Sequence, residues 1–104
     1  MQKTTITLGG VALTLGPLLA KSIRENKEKI RLARLGQIAP EDMIEHVVDL
    51  ATACAQRVDG AVTREQVEDL VDMGNMGQVL GAVWGVSVPE PMPGETQAAV
   101  NPPT

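Results

Sequence analysis

The sequence predicts a small α+β fold, with an N-terminal β-hairpin followed by a small, mostly α-helical bundle. Residues 4–15 alternate apolar and polar around a Gly-Gly pair, whereas apolar residues recur at helical spacing in 40–58. Five of the seven prolines lie beyond residue 88. We therefore predict a single small domain over residues 1–88 and a proline-rich, disordered C-terminal tail over residues 89–104.

The hairpin prediction rests on the stretch TTITLGGVALTL, residues 4–15. Glycine at both central positions supplies the positive φ angles of a type I′ turn. An isolated hairpin is only marginally stable in water. It must therefore pack on the helices or join the sheet of a partner.

Four helices are predicted, at about residues 17–35, 40–58, 64–73 and 76–86. Pro17 suits the first position of the first helix, and Gly36 its end. Ile23, Lys27, Ile30 and Arg34 share one side of that helix. The second helix carries a broad apolar face and is the predicted centre of the core. Thr63 and Gln66 have the spacing of a capping box at the third, and Asn75 is the predicted cap of the fourth.

The charge of the chain is unevenly distributed along the sequence. The net charge is −4, but residues 1–40 carry seven Lys/Arg against two Glu, and residues 41–104 carry two Arg against eleven Asp/Glu. This polarity suits head-to-tail self-association or a partner with its own charge pattern. Two solvated faces of opposite sign are the alternative.

No arrangement of residues typical of catalysis is present, so we expect no enzyme, no cofactor and no metal site. His46 is the single histidine and Cys54 the single cysteine. Eight residues apart on one helix, they are separated by roughly 12 Å along its axis, too far for direct proton transfer. Six Lys/Arg on the first helix leave a small DNA-binding regulator open as an alternative.

The last predicted helix is suited to meeting another helix. Gly77, Gly81 and Gly85 recur at spacing four and share one side, where another backbone could approach closely. The candidate partner-binding residues are the apolar ones on and just before the helix: Met73, Met76, Val79, Leu80, Val83 and Trp84. Packing within the chain and binding to a partner groove both remain open.

Three segments resemble the tail assembly chaperones of long-tailed bacteriophages and their prophage relatives. TITLGGVALTLGPL is similar to the hairpin of that family, PEDMIEHVVDLATACAQR to its central helix, and VTREQVEDLVDMGNMGQVLGAVWGVS to its acidic helix, Gly-Asn break and closing apolar helix. Together they span about residues 4–88.

The resemblance implies a non-enzymatic assembly role in the host bacterial cytoplasm. Such chaperones keep the tape measure protein soluble while the tail tube assembles, and leave before the virion matures. In many relatives a frameshifted longer form also recruits tail tube subunits. The resemblance therefore implies the tape measure protein and the tube protein as partners. The small size and the uneven charge of the chain favour a homo-oligomer. The acidic pI and the shortness of the apolar run at residues 8–20 predict no nucleic-acid and no membrane partner. A virion structural or connector protein is the alternative within the same setting.

Overall fold

The computed structural model describes residues 2–87, which begin with an antiparallel hairpin. Strand β1 spans Thr4–Leu8 and strand β2 spans Val11–Leu15, with Leu8 opposite Val11. Gly9 and Gly10 have φ angles of 58° and 84°, the positive values that the two-residue turn requires. The hairpin prediction is confirmed. The predicted tail, residues 89–104, lies outside the described residues.

The hairpin buries one of its two faces. Ile6 lies opposite Leu13, and residues directly opposite each other share a face. On this face Leu8, Leu13 and Leu15 are buried. On the other face, the hydroxyl groups of Thr5 and Thr14 form a 2.9 Å hydrogen bond across the strands. The hairpin thus packs on the helices through its apolar side, as its marginal stability demands.

The predicted central helix is present with the expected bounds. It is numbered α3, because two shorter helices precede it in the chain. It spans Pro40–Val58, with Pro40 in the first turn and Glu41 and Asp42 beside it, where carboxylates favour the positive end of the helix dipole. Its packing partners are β2 and two later helices. Its buried residues are His46, Val47, Val48, Leu50, Ala51, Thr52, Cys54 and Ala55.

The prediction of one helix over residues 17–35 is wrong at its start and in its middle. Two helices occur instead, α1 over Ala20–Glu25 and α2 over Lys27–Arg34. Asn26 separates them with φ −106° and ψ 13°, and its side-chain amide donates to the Ser22 carbonyl at 2.7 Å. The Ser22 carbonyl also accepts from the backbone N–H of Asn26 at 3.1 Å, so the break is confined to the backbone angles of this one residue.

The end of α2 agrees with the predicted stop at Gly36. Gly36 has a φ of 68°. Its N–H donates to the Ala33 carbonyl at 3.2 Å, and the N–H of Gln37 donates to the Leu32 carbonyl at 2.9 Å. This pair of bonds is the Schellman motif, which satisfies carbonyl groups that the helix end would otherwise leave free.

The third predicted helix, residues 64–73, is shorter than expected. Helix α4 spans only Arg64–Glu68, and it begins with the predicted capping box between Thr63 and Gln66. The chain then turns because Asp72 starts a new cap. The Asp72 carboxylate accepts from the N–H of Asn75, and the Asn75 side chain accepts from the N–H of Asp72, both at 2.8 Å. The side-chain oxygen of Asn75 therefore bonds to Asp72, and it does not cap the last helix as predicted.

Helix α5 spans Met76–Ser87 and closes the core against α3 and the hairpin. Val79, Val83 and Val86 are its buried residues. Its three glycines are exposed, and a Cβ atom built on any of them would meet nothing within 4 Å. The glycine side of α5 is therefore not used for close packing among the described residues. Within residues 2–87, no helix is both long and apolar enough to cross a membrane.

Candidate partner-binding groove

Helices α1 and α2, residues 20–34, form an arm that stands away from the core. None of their residues is buried. Along and beside the arm, Leu19, Ile23 and Leu35 are 49%, 40% and 55% exposed. We call this segment the basic arm, because it carries six Lys/Arg against two Glu. Apolar side chains left in water on one helical pair are typical of a surface that another chain covers.

Three hydrogen bonds hold the base of the basic arm. The N–H of Gly16 donates to the Cys54 carbonyl at 2.9 Å, and Arg57 donates to the Pro17 carbonyl at 2.7 Å. The N–H of Leu18 donates to the Ser87 hydroxyl at 3.0 Å. These bonds keep residues 16–18 out of the helix and explain why α1 begins at Ala20. They join the arm to both α3 and α5.

An open groove runs between the basic arm and the outer side of α5. One part, of about 340 Å³, lies among Ile30, Ala33, Leu80 and Trp84. A wider part, of about 570 Å³, continues along the arm. Trp84 borders both parts. The residues that line this Trp84 groove are Ala20, Ile23, Arg24, Lys27, Ile30, Ala33, Arg34, Leu80 and Trp84.

The Trp84 groove combines an apolar floor with a cationic rim. Arg24, Lys27 and Arg34 line it, and none of the three forms an ion pair within residues 2–87. The neighbouring Arg31 is bound instead to Glu28, and this contact lowers the pKa of the Glu28 carboxyl. The rim therefore presents cations to whatever enters, and the floor presents aliphatic and indole surface.

The six predicted partner-binding residues fall into three pairs. Val79 and Val83 are fully buried, so they belong to the core and cannot touch a partner in this folded state. Leu80 and Trp84 are half-buried and line the groove. Met76 is half-buried on the same helix, and Met73 is 56% exposed in the turn before it.

Sequence reasoning missed that the basic arm supplies the second wall of the groove. The side of the first predicted helix that holds Ile23, Lys27, Ile30 and Arg34 faces Trp84. The helical spacing of these four residues was the available signal. This spacing could not show which element packs beside these residues, because Trp84 lies 50 residues or more along the chain from each of them.

The opposite charge is concentrated on α4 and the turn that follows it. We call residues 65–73 the acidic segment, since they hold four carboxylates, Glu65, Glu68, Asp69 and Asp72, and no cation. Just before it, Arg64 contacts Asp49 at 2.9 Å and Glu45 at 2.5 Å on α3, and Glu68 on α4. Hydrogen bonds to Glu45 and Asp49 raise the pKa of this arginine. The Arg64 cluster joins α4 to α3.

Cys54 and His46 are both buried, and each is poorly suited to chemistry. Burial raises the pKa of the Cys54 thiol to about 11, although Ser87 and Arg57 favour the thiolate. Such a thiol is inert at neutral pH. Burial and the nearby Lys29 lower the pKa of His46, whereas Asp49 acts in the opposite direction. No cluster of three His, Cys, Asp or Glu suited to a metal occurs in the described part of the chain.

No protein-family model, curated protein or solved structure matches this chain significantly.

Proposed function

We propose that this chain is a tail assembly chaperone that binds a helical segment of the tape measure protein in the Trp84 groove. The groove is the observation that carries the proposal. It is apolar along its floor, open at its surface and bordered by two helical elements, as expected of a site for an amphipathic helix. The three-segment resemblance to phage tail assembly chaperones supplies the class of partner.

The composition of the groove suits a chaperone that binds several segments of one long partner. Ile23, Ile30 and Leu80 offer aliphatic surface without a fixed hydrogen-bond pattern, so they select for an apolar stripe and not for one sequence. The cations on the rim add attraction for acidic flanks, which decreases with salt. Binding of this kind keeps an aggregation-prone helix soluble without holding it permanently.

The proposal predicts a tape measure gene in the same gene neighbourhood, and coexpression of its product with this chain is the test. We expect the wild-type chain to copurify with that protein and to keep it soluble. Ile23→Asp should abolish both effects, because it places a carboxylate in the groove at a position that is already 40% exposed and outside the core. Val11→Asp is the matched control, since Val11 is 48% exposed on the hairpin and does not line the groove.

The possible results distinguish an error in the proposed binding site from an error in the proposed function. A soluble complex with Val11→Asp but not with Ile23→Asp would support the proposal. A complex that survives Ile23→Asp would place the partner on another surface. A tape measure protein that stays insoluble beside the wild-type chain would refute the chaperone function itself.

The exposed basic arm supports a second candidate, a small DNA-binding regulator. Its six Lys/Arg all lie on helices with no buried residue, and all but Arg31, which is bound to Glu28, form no ion pair within residues 2–87 and are available to phosphates. Retention on duplex DNA that decreases steeply with salt and is lost in Arg24→Glu/Arg34→Glu would support this function. Absence of retention at low salt would refute it.

A further inference from the structure

Two surfaces of this chain are complementary in charge, and both expose apolar side chains. The Trp84 groove is an apolar depression rimmed by Arg24, Lys27 and Arg34. The acidic segment carries four carboxylates and ends at Met73, an apolar side chain that is 56% exposed. Met73 is the most exposed of the large hydrophobic residues in the described part of the chain.

We propose that the acidic segment of a second copy docks in the Trp84 groove. Met73 of one copy enters the apolar part of the groove, against Ile30 and Trp84 of the other. The carboxylate of Asp69 then lies near the cationic rim. This contact would cover Met73 and the exposed Ile23 together, so one interface removes from water two of the apolar groups that the isolated chain leaves exposed.

Charge and side-chain chemistry both favour this occupant. Arg24, Lys27 and Arg34 have no ion-pair partner within residues 2–87, and Asp69 forms none there either. Pairing them across an interface therefore breaks no existing ion pair of these four residues. Methionine is unbranched and adaptable, so it fits an irregular groove between two helices. Attraction between exposed charges should make the association sensitive to salt.

The inference does not rest on the proposed function, although it uses the same groove. If both are correct, a second copy and the tape measure helix compete for Trp84. Self-association would then protect the groove until the partner is made. Self-association can be measured with the purified chain alone, so the proposal of self-association and the proposal of chaperone activity can be refuted independently.

Sedimentation velocity of the full chain at increasing concentration is the first experiment. We expect reversible association at low salt that weakens as salt is raised. Met73→Asp and Ile23→Asp should each weaken it by at least about tenfold, because each places a carboxylate where the interface is apolar. Thr7→Asp, at an exposed hairpin position that lines neither the groove nor the cavity beside the acidic segment, should associate as the wild type does.

An equimolar mixture of the two variants gives the sharpest test. Met73→Asp keeps an intact groove, and Ile23→Asp keeps an intact acidic segment, so the mixture should form a 1:1 dimer at concentrations where each variant alone is mainly monomeric. This complementation requires that the two surfaces contact each other. Circular dichroism and urea unfolding verify that both variants are folded.

Three results would overturn the proposal. The wild-type chain could stay monomeric up to near-millimolar concentration. Met73→Asp could associate as tightly as the wild type, which would exclude this residue from the interface. The mixed variants could stay monomeric, which would show that groove and acidic segment do not bind each other.

Discussion

The burial of His46 predicts that the fold loses stability in mild acid. His46 is 1% exposed, and its Nδ1 atom has no hydrogen-bond partner. Burial, and then the charge of Lys29, lower its pKa below the ordinary value of 6.5, against the opposing effect of Asp49. The folded protein therefore resists protonation of this imidazole more than the unfolded chain does.

The sign and size of the effect follow from proton linkage. Between the two pKa values the unfolded chain binds more protons, so the free energy of unfolding falls as pH decreases through 6.5. If the folded protein takes up no proton at all, the loss at one pH unit below that value is RT ln 11, about 1.4 kcal/mol. Once pH falls below the folded-state pKa, this group causes no further loss.

Urea unfolding followed by circular dichroism, at pH values from about 7.5 to about 5.5, measures the loss. His46→Gln is the matched control, because it keeps a polar side chain that does not titrate in this range. We expect a pH-dependent midpoint in the wild type and a flat one in His46→Gln. His46→Leu should be equally flat, and as stable as the wild type at neutral pH or more so, since it removes an unsatisfied buried nitrogen. An undiminished pH dependence in both variants would refute the argument.

Three further predictions concern stability and reactivity. The Cys54 thiol, with its pKa raised to about 11 by burial, should resist an aromatic disulfide reagent at about pH 8 until urea unfolds the chain; rapid reaction in buffer would contradict its burial. Gly36→Ala should lower the free energy of unfolding by about 1 kcal/mol, because an alanine must adopt a φ of 68° there. Gly77→Ala, at an exposed position of α5 where a Cβ atom meets nothing within 4 Å, should instead be neutral or stabilising. Asp72→Ala should lower the free energy of unfolding by about 1 kcal/mol, because the Asn75 N–H loses its bond to the Asp72 carboxylate. Asp69→Ala, which removes no such bond, is the control. Equal stability of the two variants would contradict the role of the cap. Urea unfolding measures these stability changes.

Local patterns in the sequence were sufficient to predict the hairpin and helix α3. The Gly-Gly turn fixes the hairpin register, because a two-residue loop leaves one way to pair the flanking strands. The apolar face of residues 40–58 is long and regular enough to define both the helix and the core. In these two elements local preference and tertiary packing agree.

The errors in the first and third helices arise where distant contacts override local preference. Pro17 is a good helix start in isolation, but its carbonyl accepts from Arg57, and the next N–H donates to Ser87. These bonds come from residues about 40 and 70 positions away, which no local pattern contains. At the third helix the local signal was present but misread, since the aspartate and asparagine at 72 and 75 have capping-box spacing.

Candidate site residues were harder to predict than the fold, because an apolar residue at helical spacing has the same pattern whether it faces the core or a groove. Val83 and Trp84 are adjacent and equally apolar in the sequence, yet Val83 is fully buried and Trp84 lines an open surface. The distinction depends on the basic arm, whose base is fixed by three hydrogen bonds although none of its own residues is fully buried. Surface that stays in water contributes no hydrophobic stabilisation to the fold. The apolar residues of the arm therefore contribute most when another chain covers them. Both proposals place that chain over Trp84, and they differ only in whether it is a helical partner or a second copy.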